Sequence, residues 1–88
     1  MRVIHKQSLR LGVEQILRMP AGAKILSVQS QLGVLRLWYE CEEENELIER
    51  KFIIVGTGHR IPEGPLTHLA TVQEEEGSYV WHIYEEVS

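Results

Sequence analysis

Val34-Leu35-Arg36-Leu37-Trp38-Tyr39-Glu40-Cys41-Glu42 decides the fold class, because its side chains alternate in character with a period of two. That period is the signature of a half-buried β-strand. Leu35, Leu37, Tyr39 and Cys41 share one face and are predicted to be core. Val34, Arg36, Trp38 and Glu40 share the other. Trp38 thus projects from a partly polar face, where it either packs on a neighbouring sheet or serves a pocket wall or partner interface. Upstream, Ala23 to Gln31 reads as the first arm of a hairpin closed near Leu32-Gly33, where glycine takes the positive φ of a tight connection.

Working outward from this hairpin, Met19-Pro20-Ala21-Gly22 reads as a type I turn, with Pro at the second and Gly at the fourth position. Before it, Val13 to Met19 suits a short strand better than a helical turn, and Val3 to Leu9 alternates weakly, as an edge strand does. On the other side, the acidic turn Glu42-Glu43-Glu44-Asn45-Glu46 leads into Leu47 to Gly56, whose last apolar residues predict burial on both faces. A loop rich in Gly and Pro, Gly56 to Pro65, is followed by a strand over Thr67 to Glu74. The turn Glu75-Glu76-Gly77 then precedes a last strand over Ser78 to Glu85, with Tyr79, Trp81 and Ile83 on one face and Val80, His82 and Tyr84 on the other. Short strands at this spacing predict a single all-β domain over residues 1–88, a six- or seven-stranded antiparallel meander forming a small barrel or sandwich. So small a sheet protein is expected to pair its edges in a homo-oligomer.

Composition narrows the function. Nine basic against thirteen acidic residues give a net charge of -4, whereas a nucleic-acid binder needs an excess of cations to displace counterions from phosphates. No nucleic-acid partner is expected. The glutamates gather beside turns and read as solvated loops. A lone cysteine, Cys41, excludes an internal disulfide and fits a reducing cytoplasm. No segment approaches the ~20 apolar residues of a membrane-spanning helix, and the first residues lack an export signal's apolar run, so neither membrane insertion nor export is expected.

Chemistry concentrates where the strand Phe52-Ile53-Ile54-Val55 runs into Gly56-Thr57-Gly58-His59-Arg60. Two glycines expose backbone amides that can form an anion-binding nest, Thr57 adds a hydroxyl, and His59 and Arg60 add an imidazole and a guanidinium. The turn equally suits a purely structural role. It matches neither a dinucleotide fingerprint nor a P-loop. The expected ligand-binding set is Thr57, Gly58, His59, Arg60, Trp38, Trp81 and His82, with the aromatic rings available for stacking on a planar ligand. His5, His59, His68 and His82 are too dispersed for a metal signature, and no metal or cofactor is expected. Cys41 lies on the predicted core face beside glutamates that raise a thiol pKa, and the serines lack a GxSxG context. No catalytic residue is assigned, and the chain is not expected to be an enzyme.

Met19-Pro20-Ala21-Gly22-Ala23-Lys24-Ile25-Leu26-Ser27-Val28-Gln29, Leu37-Trp38, Val55-Gly56-Thr57-Gly58-His59, Thr71-Val72-Gln73 and Val80-Trp81-His82 together resemble, in order and over nearly the whole chain, a family of small proteins encoded by bacteriophages and prophages. The resemblance implies a phage accessory protein of the host bacterial cytoplasm and transfers no catalytic residue. The acidic turn after Tyr39 departs from the family pattern, which has a shorter Asp- and Pro-containing connection there. Two functions follow as expectations. The first is a non-catalytic binder that sequesters a small anionic or nucleotide ligand, as an anti-defence protein would. The second is a protein-interaction module that inhibits or adapts a host or virion protein.

Overall fold

A computed structural model describes residues 1–12, 14–74 and 77–87. Seven strands occupy them: β1 (Arg2–Ser8), β2 (Glu14–Pro20), β3 (Lys24–Gln31), β4 (Val34–Glu42), β5 (Leu47–Gly56), β6 (Leu66–Glu74) and β7 (Tyr79–Glu86). They form a three-stranded sheet, β1-β4-β3, and a four-stranded sheet, β2-β5-β7-β6, with every pairing antiparallel. The all-β expectation holds, in its sandwich form and not as a closed barrel. Consecutive strands pair only at β3–β4 and β6–β7: the chain crosses between sheets after β1, β2 and β4, and β7 inserts between β5 and β6. An unbroken meander would have paired every neighbour. No helix among the described residues is long and apolar enough to cross a membrane.

Alternation dictates the core. Leu35, Leu37, Tyr39 and Cys41 of β4 face Phe52 and Ile54 of β5, Ile83 of β7 and Met19 of β2 across the sandwich, and all are buried. Both faces of β5 are covered, as its sequence predicts: Ile53 and Val55 point away from the core yet are also buried. Their cover is the loop after Gly56, whose Arg60 and Pro62 line a shallow depression with them. At the opposite end of the core Arg50 holds Glu85 through Nε and Nη2 at 2.5 and 2.8 Å, and its Nη1 donates to the Ala23 carbonyl at 2.6 Å.

Two turns refine the sequence reading. Ala23 N–H donates to the Pro20 carbonyl at 3.1 Å and Gly22 has φ +81°. Pro20 therefore opens the turn and Gly22 takes its third position, the type II pattern, one residue later than the type I frame expected. At Leu32-Gly33 both φ angles are positive, +53° and +79°, which is the type I′ geometry that matches strand twist. The expected turn residues Glu75 and Glu76, and Val13 at the start of the expected second strand, lie outside the described residues.

Candidate functional site

The Gly56–Arg60 turn sits at the end of β5, between two faces of the four-stranded sheet. His59 N–H donates to the Gly56 carbonyl at 3.0 Å and Gly58 has φ +90°, so Gly56 to His59 is a type II turn that requires glycine at its third position. Gly56 answers a different need. A Cβ built there would lie 3.0 Å from His59 Nδ1 and 3.3 Å from Trp81 Cζ3, so the bare backbone lets the imidazole rest beside the indole.

On the face away from the core, His82 of β7 uses both ring nitrogens. Nε2 lies 2.9 Å from Thr57 Oγ1 and Nδ1 lies 3.0 Å from Thr71 Oγ1. Thr71 Oγ1 is in turn 3.0 Å from His68 Nε2. A hydrogen-bonded row thus runs His68, Thr71, His82, Thr57. The hydroxyls supply its adaptability, since each both donates and accepts. When Nε2 carries the proton, it donates to Thr57 Oγ1, whose own proton is directed to the Val80 carbonyl at 3.4 Å; Nδ1 then accepts from Thr71 and Thr71 accepts from His68. His82 therefore positions Thr57 and has no nitrogen left over for a direct contact.

Of the expected residues, Thr57, Gly58, His59 and His82 line one depression of about 240 Å³, walled by Val55, Ile61 and Tyr84. Trp81 opens on the other side of the turn, into a groove of about 480 Å³ that His59 and Thr57 also line and that Tyr79 extends. Tyr79 and Trp81 lie nearly parallel, centroids 6.4 Å apart. Arg60 points into a third depression, with Glu14 and Pro62. Trp38 does not join them. It stands on the outward face of the three-stranded sheet, where Lys6 Nζ lies 5.9 Å from its ring centroid, and the thickness of the sandwich separates it from the turn.

The amide nest expected from the two glycines does not form. Thr57 N–H donates to the Val80 carbonyl at 3.2 Å and His59 N–H to Gly56, so two of three successive donors are already spent by the pairing that fixes the turn. What the turn offers an anion is the Gly58 amide and the exposed side chains of His59 and Arg60, with the Thr57 hydroxyl held between His82 and the Val80 carbonyl. Sequence reasoning left Thr71 and His68 out of the site. They are three residues apart, and period-two alternation places them on opposite faces; a register shift between His68 and Ala70 returns both to the face of His82. Among the described residues no cluster of three His, Cys, Asp or Glu side chains is placed to hold a metal ion. Burial pushes the Cys41 thiol up, with Glu43, Glu42 and Glu44 adding to the effect, which is the opposite of what a nucleophile needs.

Over residues 1–88 the chain matches the model of the family described as Domain of unknown function (DUF7352), and it belongs to that family. No curated protein and no solved structure matches it.

Proposed function

We propose that this DUF7352 chain is a non-catalytic binder of a small anionic molecule, seated on the Gly56–Arg60 turn. One observation carries the reading: Thr57, Gly58 and His59 of the turn and His82 of β7, 25 residues beyond Thr57, converge on one walled depression, and His82 is held by hydrogen bonds on both nitrogens. The Gly58 amide beside the exposed side chains of His59 and Arg60 suits a phosphate or carboxylate. The adjoining groove, with Trp81 and Tyr79, suits a planar ring attached to it, so a nucleotide is the preferred class. The resemblance to small phage proteins supplies the setting, sequestration of a signalling nucleotide in the host bacterial cytoplasm as an anti-defence measure.

Thermal unfolding against a panel of mono-, di- and cyclic nucleotides tests this. A ligand at 100 times its Kd adds ~2.7 kcal/mol to folding and raises Tm by several degrees. His59→Ala and Arg60→Ala are expected to abolish that shift while leaving the unliganded Tm within about a degree or two, because both side chains are exposed. A flat panel sinks the reading and favours the interaction module instead. That second reading draws on the sheet edges β1 and β2, where Ile4 and Ile16 are more than half exposed.

A further inference from the structure

Four strands are edges, and the sandwich treats them differently. β3 and β6 approach each other across the two sheets, tied by Ser30 Oγ donating to Glu74 Oε1 at 2.7 Å, and each carries a register shift. β1 and β2 lie on the other side, bridged by Gln7, whose Nε2 donates to the Arg18 carbonyl at 2.8 Å. β2 is guarded: that bond occupies one of its carbonyls, and Pro20, which has no N–H, ends it. β1 is neither bulged nor capped by proline, and its register against β4 is unbroken from Arg2↔Glu42 to Ser8↔Arg36.

The hydrogen-bond parity of β1 follows from two bonds at its ends. Glu43 N–H donates to the Met1 carbonyl and Leu9 N–H to the Leu35 carbonyl, in the same register. In an antiparallel ladder bonded pairs alternate, so the odd residues of β1 bond to β4. Arg2, Ile4, Lys6 and Ser8 therefore aim N–H and C=O outward, at solvent. Lysine on an edge strand commonly discourages pairing. Here it does not stand guard: Lys6 folds back over its own sheet, donating from Nζ to Gln31 Oε1 at 2.9 Å, and Arg2 Nε turns back to Glu40 at 3.7 Å. Ile4 between them is 63% exposed.

We infer that the β1 edge pairs antiparallel with β1 of a second copy, about a two-fold axis at His5. This is the register that overlaps the whole strand, and it satisfies the outward groups of Arg2, Ile4, Lys6 and Ser8 in both copies with about eight backbone hydrogen bonds. The charges agree with it. One end of β1 lies beside Glu42, Glu43 and Glu44, only partly offset by the Met1 ammonium on Glu42 and Glu44, and the other leads to Arg10, with Arg36 alongside Ser8. Antiparallel pairing brings each acidic end to the basic end of the other copy. The two three-stranded sheets become one sheet of order β3-β4-β1-β1-β4-β3, and the Gly56–Arg60 turn, in the other sheet, stays open.

Backbone amide exchange of the full chain, followed by NMR at dilute and high concentration alongside its mass by light scattering, tests the inference. Twice the 10.2 kDa chain mass is expected at high concentration, with the Ile4 and Lys6 amides slowed by about tenfold or more relative to the dilute sample. Val3, His5 and Gln7, bonded to β4 in either state, are expected to be protected throughout. Lys6→Pro removes an outward donor without touching an inward one and is expected to give a folded monomer. A monomer at every concentration overturns the inference, and so does a dimer in which the Ile4 and Lys6 amides still exchange freely. Should Lys6→Pro fail to fold, the exchange pattern of the unaltered chain decides.

Discussion

Thr57 and His82 show how single residues acquire a task from their neighbours. His82 is half-buried in the middle of β7, and its two nitrogens are fixed by hydroxyls from different elements, so its ring has one orientation. Glycines at two positions of the same turn serve distinct ends and should respond differently to alanine. Gly58→Ala forces a side chain onto φ +90° and is expected to cost about 1–2 kcal/mol in denaturant unfolding. Gly56→Ala has no such backbone conflict; it displaces the exposed His59 ring, at a cost of about 1 kcal/mol or less, and its larger effect is expected on ligand binding. Leu32 is the converse case, a γ-branched residue at φ +53° and 95% exposed at a hairpin tip. Leu32→Asn is expected to raise stability by about 1 kcal/mol, measured as a higher denaturant midpoint with an unchanged slope. Cys41, 3% exposed and with its thiol pushed up, is expected to resist an aromatic disulfide reagent at pH 8 until the chain unfolds; immediate labelling of native protein would contradict its place in the core.

At the scale of elements, what was legible in the sequence is what alternation controls. The limits of β4 and β5, the core face Leu35, Leu37, Tyr39 and Cys41, and the two-sided burial of Ile53 and Val55 all follow from a period of two and its local loss. What alternation does not control stayed hidden. The register shift in β6 that lines up His68 and Thr71 depends on pairing with β7, and the engagement of the Thr57 amide and hydroxyl depends on the Val80 carbonyl, a partner 23 residues away in sequence. The Arg50–Glu85 pair was equally invisible, since it joins two central strands at the end of the core with both side chains under one-fifth exposed. Glu85→Ala leaves that guanidinium without its carboxylate and is expected to lower stability by about 2–3 kcal/mol. A loss under half a kcal/mol would mean that water replaces the pair at no cost.

The whole molecule is a thin sandwich, 15 Å through its Cα atoms at the narrowest, closed along β3 and β6 and looser along β1 and β2, where Gln7 bridges to the Arg18 carbonyl. Strand count and class were readable from the chain; the interleaving of the two sheets was not, because hairpin signals specify neighbours and crossovers leave no local mark. The same limit applied to the candidate site. Trp38 and Trp81 look equivalent in sequence, yet the topology sends them to different sheets, and only Trp81 reaches the turn. The central claim is that the turn at the end of β5 is a ligand seat. Its most direct test is a ¹H–¹⁵N NMR titration of the full chain with the nucleotide panel, read at the backbone amides and at the imidazoles of His59 and His82. The account predicts saturable shifts confined to residues 56–60, 79–82 and Thr71. Shifts centred elsewhere, or none at millimolar nucleotide, would contradict it.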